Sequence, residues 1–416
     1  MIRAMGSRVI WHALLMLLIA GCAATSPVGA ADRAAAAPTG MAGPGLERFD
    51  AVITGLMREF EIPGAGFALV MNGRLVMARG YGWADVEAGR PTEPTTPFLL
   101  ASVSKSITAV TILKLVEDGR LRLDDKAFAI LNDIPPPPGG VADPRTADIT
   151  VRQLLYHAGG WNRRTSGDPA TFGPRVARRL HVRQPITPRD LVRYMLGQPL
   201  DFTPGTQAVY SNYGYMLLGM IVERASGQRY AEFVQTRTLA PMGIGGVVQG
   251  AGRARYVPDE ARRYNPEGRL VPRGGLPPVD FASGSWIASA VDMARFMAVI
   301  GGSKPQRFLS TATTQEMLAA PPPPIPLRPL GRHFGMGWDV VQEMPAGVLY
   351  HKDGGVAGTM TWVEHDPKGI DWVLLFNASK GKPEGPELHQ EYQQEIRAAI
   401  AATTTWPDLD LFDRYR

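Results

Sequence analysis

The feature that most constrains the fold of this chain is the order of its hydrophobic periodicities: strand patterns lie near both ends, and helical patterns fill the middle. Near the start, apolar runs at 66–71 and 74–80 are joined by Asn72-Gly73, a dipeptide that strongly predicts a two-residue hairpin. Near the end, strands are predicted at 349–352, 359–366 and 371–376. The simplest packing joins both groups in one antiparallel sheet. The predicted fold is therefore α/β (α+β), with helices flanking that sheet and a helical lobe inserted between its two halves.

Helical periodicity predicts a first helix at 46–60 and a long, mostly apolar helix at 102–118, which ends at Gly119. Further helices are predicted at 151–157, 188–196, 213–226, 230–239 and 388–401. The chain has 416 residues, more than the ~250–300 at which single cores usually stop growing, so two subdomains are expected. We predict one folded domain over 46–405, with its helical lobe at approximately 140–300.

The sole cysteine, Cys22, ends a segment that has the features of an export signal. Arg3 and Arg8 form a basic start, and the apolar run 9–20 is too short to span a bilayer. The run closes with Ile-Ala-Gly before Cys22, which resembles the bacterial lipobox, in which the cysteine is lipidated and becomes the first mature residue. With one cysteine, neither an internal disulfide nor a thiolate metal cluster can form.

Residues 1–22 are therefore predicted to be a lipoprotein signal peptide. Residues 23–45, rich in Ala, Gly, Pro and Ser, are predicted to be a flexible tether. Such a protein is exported and held at the cell envelope, facing the periplasm, by a lipid anchor without a transmembrane helix. The alternative is an ordinary secretory signal cut later, for example after Ala30, which releases a soluble secreted or periplasmic protein.

The first candidate for chemistry is Ser102-Val-Ser-Lys105, at the start of the helix predicted at 102–118. Residues three apart lie one turn apart on nearly the same face. A hydroxyl at a helix start lies near free N–H groups and the positive end of the dipole, which stabilise an alkoxide. Lys105 lies on an otherwise apolar helix, and a lysine whose pKa is depressed by burial can accept the serine proton. The alternative is a solvated lysine at the start of a surface helix.

Tyr210-Ser-Asn212 lies just ahead of another apolar helix. A tyrosine with a lowered pKa can shuttle protons, and an asparagine can hold a substrate amide. The alternative is a capped helix start, with Asn212 as the N-cap and Tyr210 as a packing residue.

A third segment, His351-Lys352-Asp353-Gly354-Gly355, ends a predicted strand. Its cations raise the local positive potential, and the glycines allow a substrate to approach the backbone. The alternative is a glycine turn with solvated charges.

Taken together, in this order and in these contexts, the three segments resemble the penicillin-recognising serine hydrolases. The most similar branch contains class C β-lactamases, D-alanyl-D-alanine carboxypeptidases and related esterases, and it has Ser-x-x-Lys, then Tyr-x-Asn, then Lys-Thr-Gly or His-x-Gly. The resemblance extends over roughly 46–400. Accessory stretches are also similar to the family: His157-Ala-Gly-Gly160, Pro204-Gly205-Thr206 and Phe334-Gly-Met-Gly-Trp338.

The resemblance implies a β-lactamase/transpeptidase-like fold and a serine hydrolase that acts through an acyl-enzyme on ester or amide bonds. The substrate would be a small molecule or a peptide, and the enzyme an esterase, a D-amino-acid peptidase or a β-lactamase-like hydrolase. No cofactor and no metal are implied. The implied roles are nucleophile for Ser102, proton transfer for Lys105 and Tyr210, acyl-amide binding for Asn212, substrate contacts for Lys352, Asp353 and Gly354, and an oxyanion hole from the N–H groups of Ser102 and Gly355.

The third segment departs from the family pattern, because Lys352 falls at the cation position and Asp353 where threonine is common. Strand side chains alternate between faces, so Lys352 and His351 cannot both enter the cleft. We favour Lys352, although a one-residue slip would exchange the two. An ionised Asp353 cannot donate a hydrogen bond and repels a substrate carboxylate. Hydrolysis of simple esters, and of D-amino-acid peptides, is therefore expected to exceed hydrolysis of β-lactams. The alternative is that Asp353, which alternates with Lys352 along the strand, points away from the cleft and does not act on the substrate.

A competing hypothesis is a non-catalytic lipoprotein that uses the fold to bind cell-wall peptide or a protein partner. The net charge of +5 comes largely from scattered arginines without interleaved aromatics, so nucleic acid is not an expected partner. The histidines lack metal-ligand spacing, and His157 and His333 are interpreted as structural. His365 and Asp366 are expected to face solvent. The sequence does not indicate an oligomeric state.

Overall fold

The computed structural model describes residues 36–272, 276–302, 307–344, 347–379 and 388–415. The strands in this part of the chain are β1 (Thr39–Ala42), β2 (Gly64–Met71), β3 (Arg74–Asp85), β4 (Arg90–Pro91), β5 (Phe98–Leu99), β6 (Val248–Gln249), β7 (Trp286–Ala288), β8 (His333–Phe334), β9 (Asp339–Met344), β10 (Gly347–Val356), β11 (Thr359–Asp366) and β12 (Ile370–Phe376). The α-helices are α1 (Glu47–Glu59), α2 (Ser104–Glu117), α3 (Ala127–Ile130), α4 (Val151–Leu155), α5 (Gly173–Leu180), α6 (Pro188–Met195), α7 (Asn212–Ser226), α8 (Tyr230–Phe233), α9 (Ala290–Ile300), α10 (Thr311–Leu318) and α11 (Leu388–Ala401).

Among the described residues, nine strands form one antiparallel sheet in the order β1-β3-β2-β12-β11-β10-β9-β8, with β4 paired to β3. The amino-terminal β2 pairs along its length with the carboxy-terminal β12, for example Leu69 with Trp372. The predicted sheet built from both chain ends is therefore confirmed. The predicted hairpin joins β2 to β3, and Asn72 and Gly73 both have positive φ, as a type I′ turn requires.

Helices cover both faces of this sheet. Apolar residues of α1 and α11 pack with Phe67, Trp362 and Trp372 on one face. The opposite face packs against α9, and the same hydrophobic core continues into the helical lobe, where α2 packs against α7. The segment between β5 and β7 forms the helical lobe. Because helices bury an apolar face on each side of the sheet, the molecule has three layers. The cleft lies between the sheet and the helical lobe.

Several boundaries differ from the predictions. Thr39–Ala42, within the predicted tether, pairs with β3, so the ordered sheet begins before residue 46. Beyond residue 405, the chain is still part of the fold, because the Leu411 N–H donates to the Leu75 carbonyl at 2.8 Å and Phe412 is buried. Helix α9, within the predicted helical lobe, packs on the sheet instead.

Two local predictions also change. The helix predicted at 102–118 starts as a 3-10 turn, Ala101–Val103, followed by α2. His365 does not face solvent, since its Nδ1 lies 2.6 Å from Oδ1 of the buried Asp371 and its ring stacks on Tyr350. The signal-peptide prediction and Cys22 lie outside the described residues. In the part of the chain that the structure describes, no helix is long and apolar enough to cross a membrane.

A buried ion pair fastens α11 to the sheet. Glu364 on β11 is 1% exposed and accepts two hydrogen bonds from Arg397, at 2.8 and 2.6 Å. Its carboxylate also accepts from the indole N–H groups of Trp362 and Trp372. Every side of this carboxylate is thus matched to a donor, as a buried charge requires.

Arg397→Met is expected to lower the free energy of unfolding by about 2–3 kcal/mol. Removing one partner of a fully buried pair costs about 3–5 kcal/mol, and Arg397 is partly exposed, which reduces the effect. Thermal or urea unfolding measures the change. Arg189→Met, which breaks an exposed ion pair with Asp133, is the control and should leave unfolding nearly unchanged. Equal losses in both variants would contradict the special role of Glu364.

Candidate active site

The loop that carries Ser102 is fixed to the sheet by its backbone. Thr361 on β11 donates to the Leu100 carbonyl at 2.8 Å, and the Leu100 N–H donates to the Trp286 carbonyl on β7 at 2.8 Å. Ala101 then has φ +45°, a left-handed conformation that a non-glycine residue adopts at a cost of order 1–3 kcal/mol. This turn places Ser102 at the base of the cleft, immediately before α2.

Ser102 lies between Lys105 and Tyr210, the two residues predicted to transfer its proton. The Tyr210 hydroxyl donates to Ser102 Oγ at 2.6 Å, and Lys105 Nζ donates to the same oxygen at 3.2 Å. Lys105 Nζ also lies 4.8 Å from the centre of the Tyr210 ring. The three side chains therefore form one hydrogen-bonded cluster, although Lys105 and Tyr210 are 105 positions apart in the sequence. A nucleophile within hydrogen-bond reach of a base is the geometry that covalent catalysis requires.

Lys105 is fully buried, with an exposed fraction of 0%. Its ammonium donates to the Ser283 carbonyl at 2.6 Å and to Asn212 Oδ1 at 2.8 Å. Burial lowers the pKa of Lys105, against the opposing effect of Tyr210, and the nearby Lys352 ammonium lowers it further. A lysine with a lowered pKa loses its proton more readily and can act as a base near neutral pH.

Asp280 adds a second titrating group to this region. Burial raises the pKa of Asp280 to about 6, against the effect of the nearby Lys105 ammonium. Its carboxylate accepts from the Ser283 hydroxyl at 3.2 Å, beside the carbonyl that binds Lys105. Nothing in the sequence pattern around Asp280 indicated this position.

Asn212 is the first residue of α7, and Ser211, not Asn212, caps the helix by accepting the Gly214 N–H at 3.0 Å. The Asn212 side chain points instead toward Lys105, to which its Oδ1 is bonded. Its Nδ2 donates to Asp168 Oδ2 at 2.7 Å. The amide expected to bind a substrate acyl group thus already has a carboxylate partner. Asp168 lies in a loop, where no periodicity marks it, and sequence reasoning missed it.

His157 supports Tyr210 from behind. Its ring lies 4.7 Å from the Tyr210 ring, and its Nδ1 accepts the Ser211 N–H at 3.1 Å. Burial lowers the pKa of His157 well below its usual range, so the ring is neutral and can accept that hydrogen bond. These contacts agree with the structural role expected of His157.

Strand β10 brings the third segment beside Ser102. A Cβ at Gly354 would lie 2.3 Å from the Leu100 carbonyl oxygen and 2.9 Å from the Ser102 nitrogen, so only glycine fits. Gly355 is exposed at the next position of the strand. The backbone of β10 and the Ser102 N–H therefore border the same space, where the predicted oxyanion hole would lie.

Alternation along β10 separates the two cations of the third segment. Lys352 Nζ lies 5.4 Å from the centre of the Tyr210 ring, on the cleft side. The His351 ring stacks on Trp362 at 4.2 Å, on the face covered by α11. Asp353 is 44% exposed at its side chain, and its Oδ1 lies 3.5 Å from Lys352 Nζ. In this register, Lys352 and not His351 faces the cluster of Ser102, Lys105 and Tyr210.

Lys352 has a buried partner that the sequence did not reveal. Asp339, the first residue of β9, accepts from Lys352 Nζ at 2.7 Å. Its other oxygen accepts from Arg328 at 3.1 Å. Asp339 directly follows Trp338, the last residue of the Phe-Gly-Met-Gly-Trp stretch. This position beside a family-like stretch was the one sequence signal that could have drawn attention to Asp339, but it does not indicate which cation the carboxylate binds.

In the described ranges, no group of three or more His, Cys, Asp or Glu side chains is arranged to hold a metal ion. What the cluster can do chemically is move one proton off Ser102 and hold a negative charge beside its backbone. This is the chemistry of acyl transfer through a serine ester.

Comparisons with known proteins agree with this geometry. A family model described as Beta-lactamase matches residues 49–395. Protein flp of Staphylococcus aureus (strain MW2) is 30% identical over 196 residues, which cover 47% of this chain and 36% of flp. Esterase EstB of Burkholderia gladioli is 35% identical over 205 residues, 47% of this chain and 50% of EstB. The matched regions thus span about a third to a half of these relatives' lengths. An octameric penicillin-binding protein homologue from Pyrococcus abyssi superposes with a TM-score of 0.70 at 25% identity, over 86% of this chain and 78% of that one.

Proposed function

The chain belongs to the beta-lactamase family of serine hydrolases, and from this premise we propose that it hydrolyses esters of small molecules through an acyl-Ser102 intermediate. The observation that carries the proposal is the position of Ser102 Oγ within hydrogen-bond reach of both Tyr210 and the buried Lys105. The fully buried Lys105, with its lowered pKa, supports the role of base.

In the first half-reaction, Ser102 Oγ adds to the carbonyl carbon while its proton passes to the Lys105–Tyr210 pair. The N–H groups of Ser102 and Gly355 would stabilise the oxyanion. Collapse of the tetrahedral intermediate breaks the bond to the alcohol, which leaves with that proton. In the second half-reaction, water gives one proton to the same pair and adds to the acyl carbon. Release of the acid returns the proton to Ser102.

Two features of the cleft support esters over β-lactams and acylated peptides. Asn212 Nδ2 donates a hydrogen bond to Asp168, so one of its two N–H donors is not available to an acyl amide. Asp353 stands where β-lactam-recognising relatives have a hydroxyl donor. Strand alternation turns its side chain toward the face of His351, but its Oδ1 lies 3.5 Å from Lys352 Nζ, so its charge offsets that of Lys352. Both features disfavour substrates that carry an acylamino group and a carboxylate.

We expect the kcat/KM of the wild type for 4-nitrophenyl butyrate to exceed that for nitrocefin at least about tenfold. Asp353→Thr should raise the nitrocefin value, because it removes a negative charge that lies 3.5 Å from Lys352 Nζ. The control is Asp408→Thr, which removes an exposed carboxylate that pairs with Arg74 on β3, and it should change neither value. Efficient turnover of nitrocefin by the wild type would refute the substrate proposal. An unchanged nitrocefin value in Asp353→Thr would refute its electrostatic reason.

We also propose that the protein is exported and anchored at the cell envelope by a lipid on Cys22. The proposal rests on the basic start, the short apolar run and the Ile-Ala-Gly-Cys motif that ends it. In the described part of the chain, the first strand of the sheet is β1, which starts at Thr39, so 16 residues lie between Cys22 and this strand to connect lipid and domain.

Cys22→Ser is expected to move the protein from the membrane fraction to the soluble fraction and to leave ester hydrolysis intact. A single lipidated terminus would be the sole attachment, and the active-site cluster lies far along the chain from it. Fractionation of cells and an ester assay on both fractions measure the change. Membrane-bound Cys22→Ser protein would contradict the lipid anchor and favour another mode of attachment.

A further inference from the structure

Lys352, the cation of the third segment, is held in a buried ion pair that the resemblance to the family did not predict. We propose that Asp339 is a specificity-determining residue, which neutralises Lys352 and thereby directs the site to substrates without a carboxylate in their leaving group. The inference deepens the proposed esterase function and rests on it.

The pair is close and shielded from water. Lys352 Nζ and Asp339 Oδ2 lie 2.7 Å apart, and the two side chains are only 3% and 14% exposed. Burial lowers the pKa of Lys352, but the negative groups around it, first among them the Asp339 carboxylate, together raise it by more, so the Lys352 ammonium keeps its proton. The pKa of Asp339 is held well below its usual range by Lys352, also against burial. Both groups are therefore charged at any pH at which the enzyme would be assayed.

Arg328 fixes the carboxylate from its other side. It donates to Asp339 Oδ1 at 3.1 Å, and its guanidinium lies over the Phe334 ring, 3.5 Å from the ring centre. Asp339 is thereby held between two cations and cannot rotate away from Lys352 without losing Arg328. The ion pair is a fixed part of the cleft wall.

Within this ion-paired group the charges cancel. Two cations, Lys352 and Arg328, lie beside two carboxylates, Asp339 and Asp353. An approaching carboxylate would be attracted by Lys352 but also repelled by Asp339, whose Oδ2 lies only 2.7 Å from Lys352 Nζ. Since Lys352 lies next to the Tyr210 ring, and Tyr210 belongs to the pair that protonates the leaving group, this neutral wall borders the leaving-group side of the scissile bond.

The test uses two chromogenic esters that differ by one carboxylate in the leaving group: 4-nitrophenyl acetate and 3-carboxy-4-nitrophenyl acetate. The measured quantity is the ratio of their kcat/KM values, neutral over anionic. We expect this ratio to be well above one in the wild type and to fall at least about tenfold in Asp339→Asn, because the Lys352 ammonium then loses its closest carboxylate and only the more distant Asp353 offsets its charge. The fall should appear mainly as a lower KM for the anionic ester. Asp133→Asn, which removes a carboxylate on the outside of the helical lobe, is the control for net charge and should leave the ratio unchanged.

A second variant covers the case in which Asp339→Asn does not fold. The double variant Asp339→Asn/Lys352→Met removes both charges and leaves no unpaired buried ammonium. If the pair is effectively neutral, this variant keeps the wild-type ratio within about threefold. A ratio that rises more than about tenfold would show that Lys352 attracts carboxylates despite Asp339, and would overturn the inference. So would an unchanged ratio in folded Asp339→Asn. Failure of the wild type to hydrolyse either ester would instead overturn the proposed function.

Discussion

Ser102→Ala is expected to abolish covalent labelling by a fluorophosphonate probe and to lower kcat/KM for a 4-nitrophenyl ester by at least about 10³-fold. Without Oγ no acyl-enzyme can form, and the remaining groups can only polarise the carbonyl, which leaves a small residual rate. Thermal unfolding should be nearly unchanged, because the variant removes a single oxygen that is exposed to the cleft. Labelling followed on a gel and initial rates measure the two effects.

The same helix supplies matched controls. Ser104 accepts the Trp286 N–H at 3.1 Å, and Ser106 donates to the Gly337 carbonyl at 2.8 Å, so both hydroxyls are buried and structural. Ser104→Ala and Ser106→Ala should lose some stability and still be labelled. If either of these variants lost labelling while Ser102→Ala retained it, the nucleophile would be that serine and not Ser102. A wild type that is never labelled would favour the non-catalytic hypothesis, in which the fold binds cell-wall peptide or a partner.

Lys105 and Tyr210 are expected to act as one catalytic unit. Lys105→Met and Tyr210→Phe should each lower the acylation rate by about 10²–10⁴-fold, the range of general acid–base catalysis. The acylation rate of the double variant should be less than about tenfold lower than that of the slower of the two single variants. Both residues bond the same oxygen, Ser102 Oγ, so removing either one already interrupts the path of the proton. Stopped-flow measurement of the acylation burst gives the three rates.

Tyr215→Phe is the control for loss of a tyrosine hydroxyl in this region. Its ring also lies near Lys105, with 5.8 Å between the ring centre and Nζ, but its hydroxyl donates to the Leu155 carbonyl at 3.0 Å. This variant should retain near wild-type acylation. Fully additive losses in the Lys105 and Tyr210 variants would mean that one of these residues only packs in the site.

The sequence alone predicted the sheet built from both chain ends and the family, and both predictions are confirmed. It could do so because these features are encoded locally. Alternation and Asn72-Gly73 specify the β2–β3 hairpin within a few residues, and three-residue spacing places Ser102 and Lys105 on adjacent turns. A pattern that repeats with the period of its own secondary structure can be recognised without knowledge of the rest of the chain.

Only the tertiary structure decided what surrounds those residues. Asp168 meets Asn212 across 44 residues of chain, and Asp339 meets Lys352 between two strands. A single carboxylate in a loop or at a strand end has no period, so its partner depends on how distant elements pack. The face of β10 that Lys352 occupies likewise follows from its register with β11, which one residue of slip would have reversed. The sequence therefore predicted which groups would do the chemistry, and packing decided their charge balance, because electrostatic interactions depend on distances in space and not along the chain.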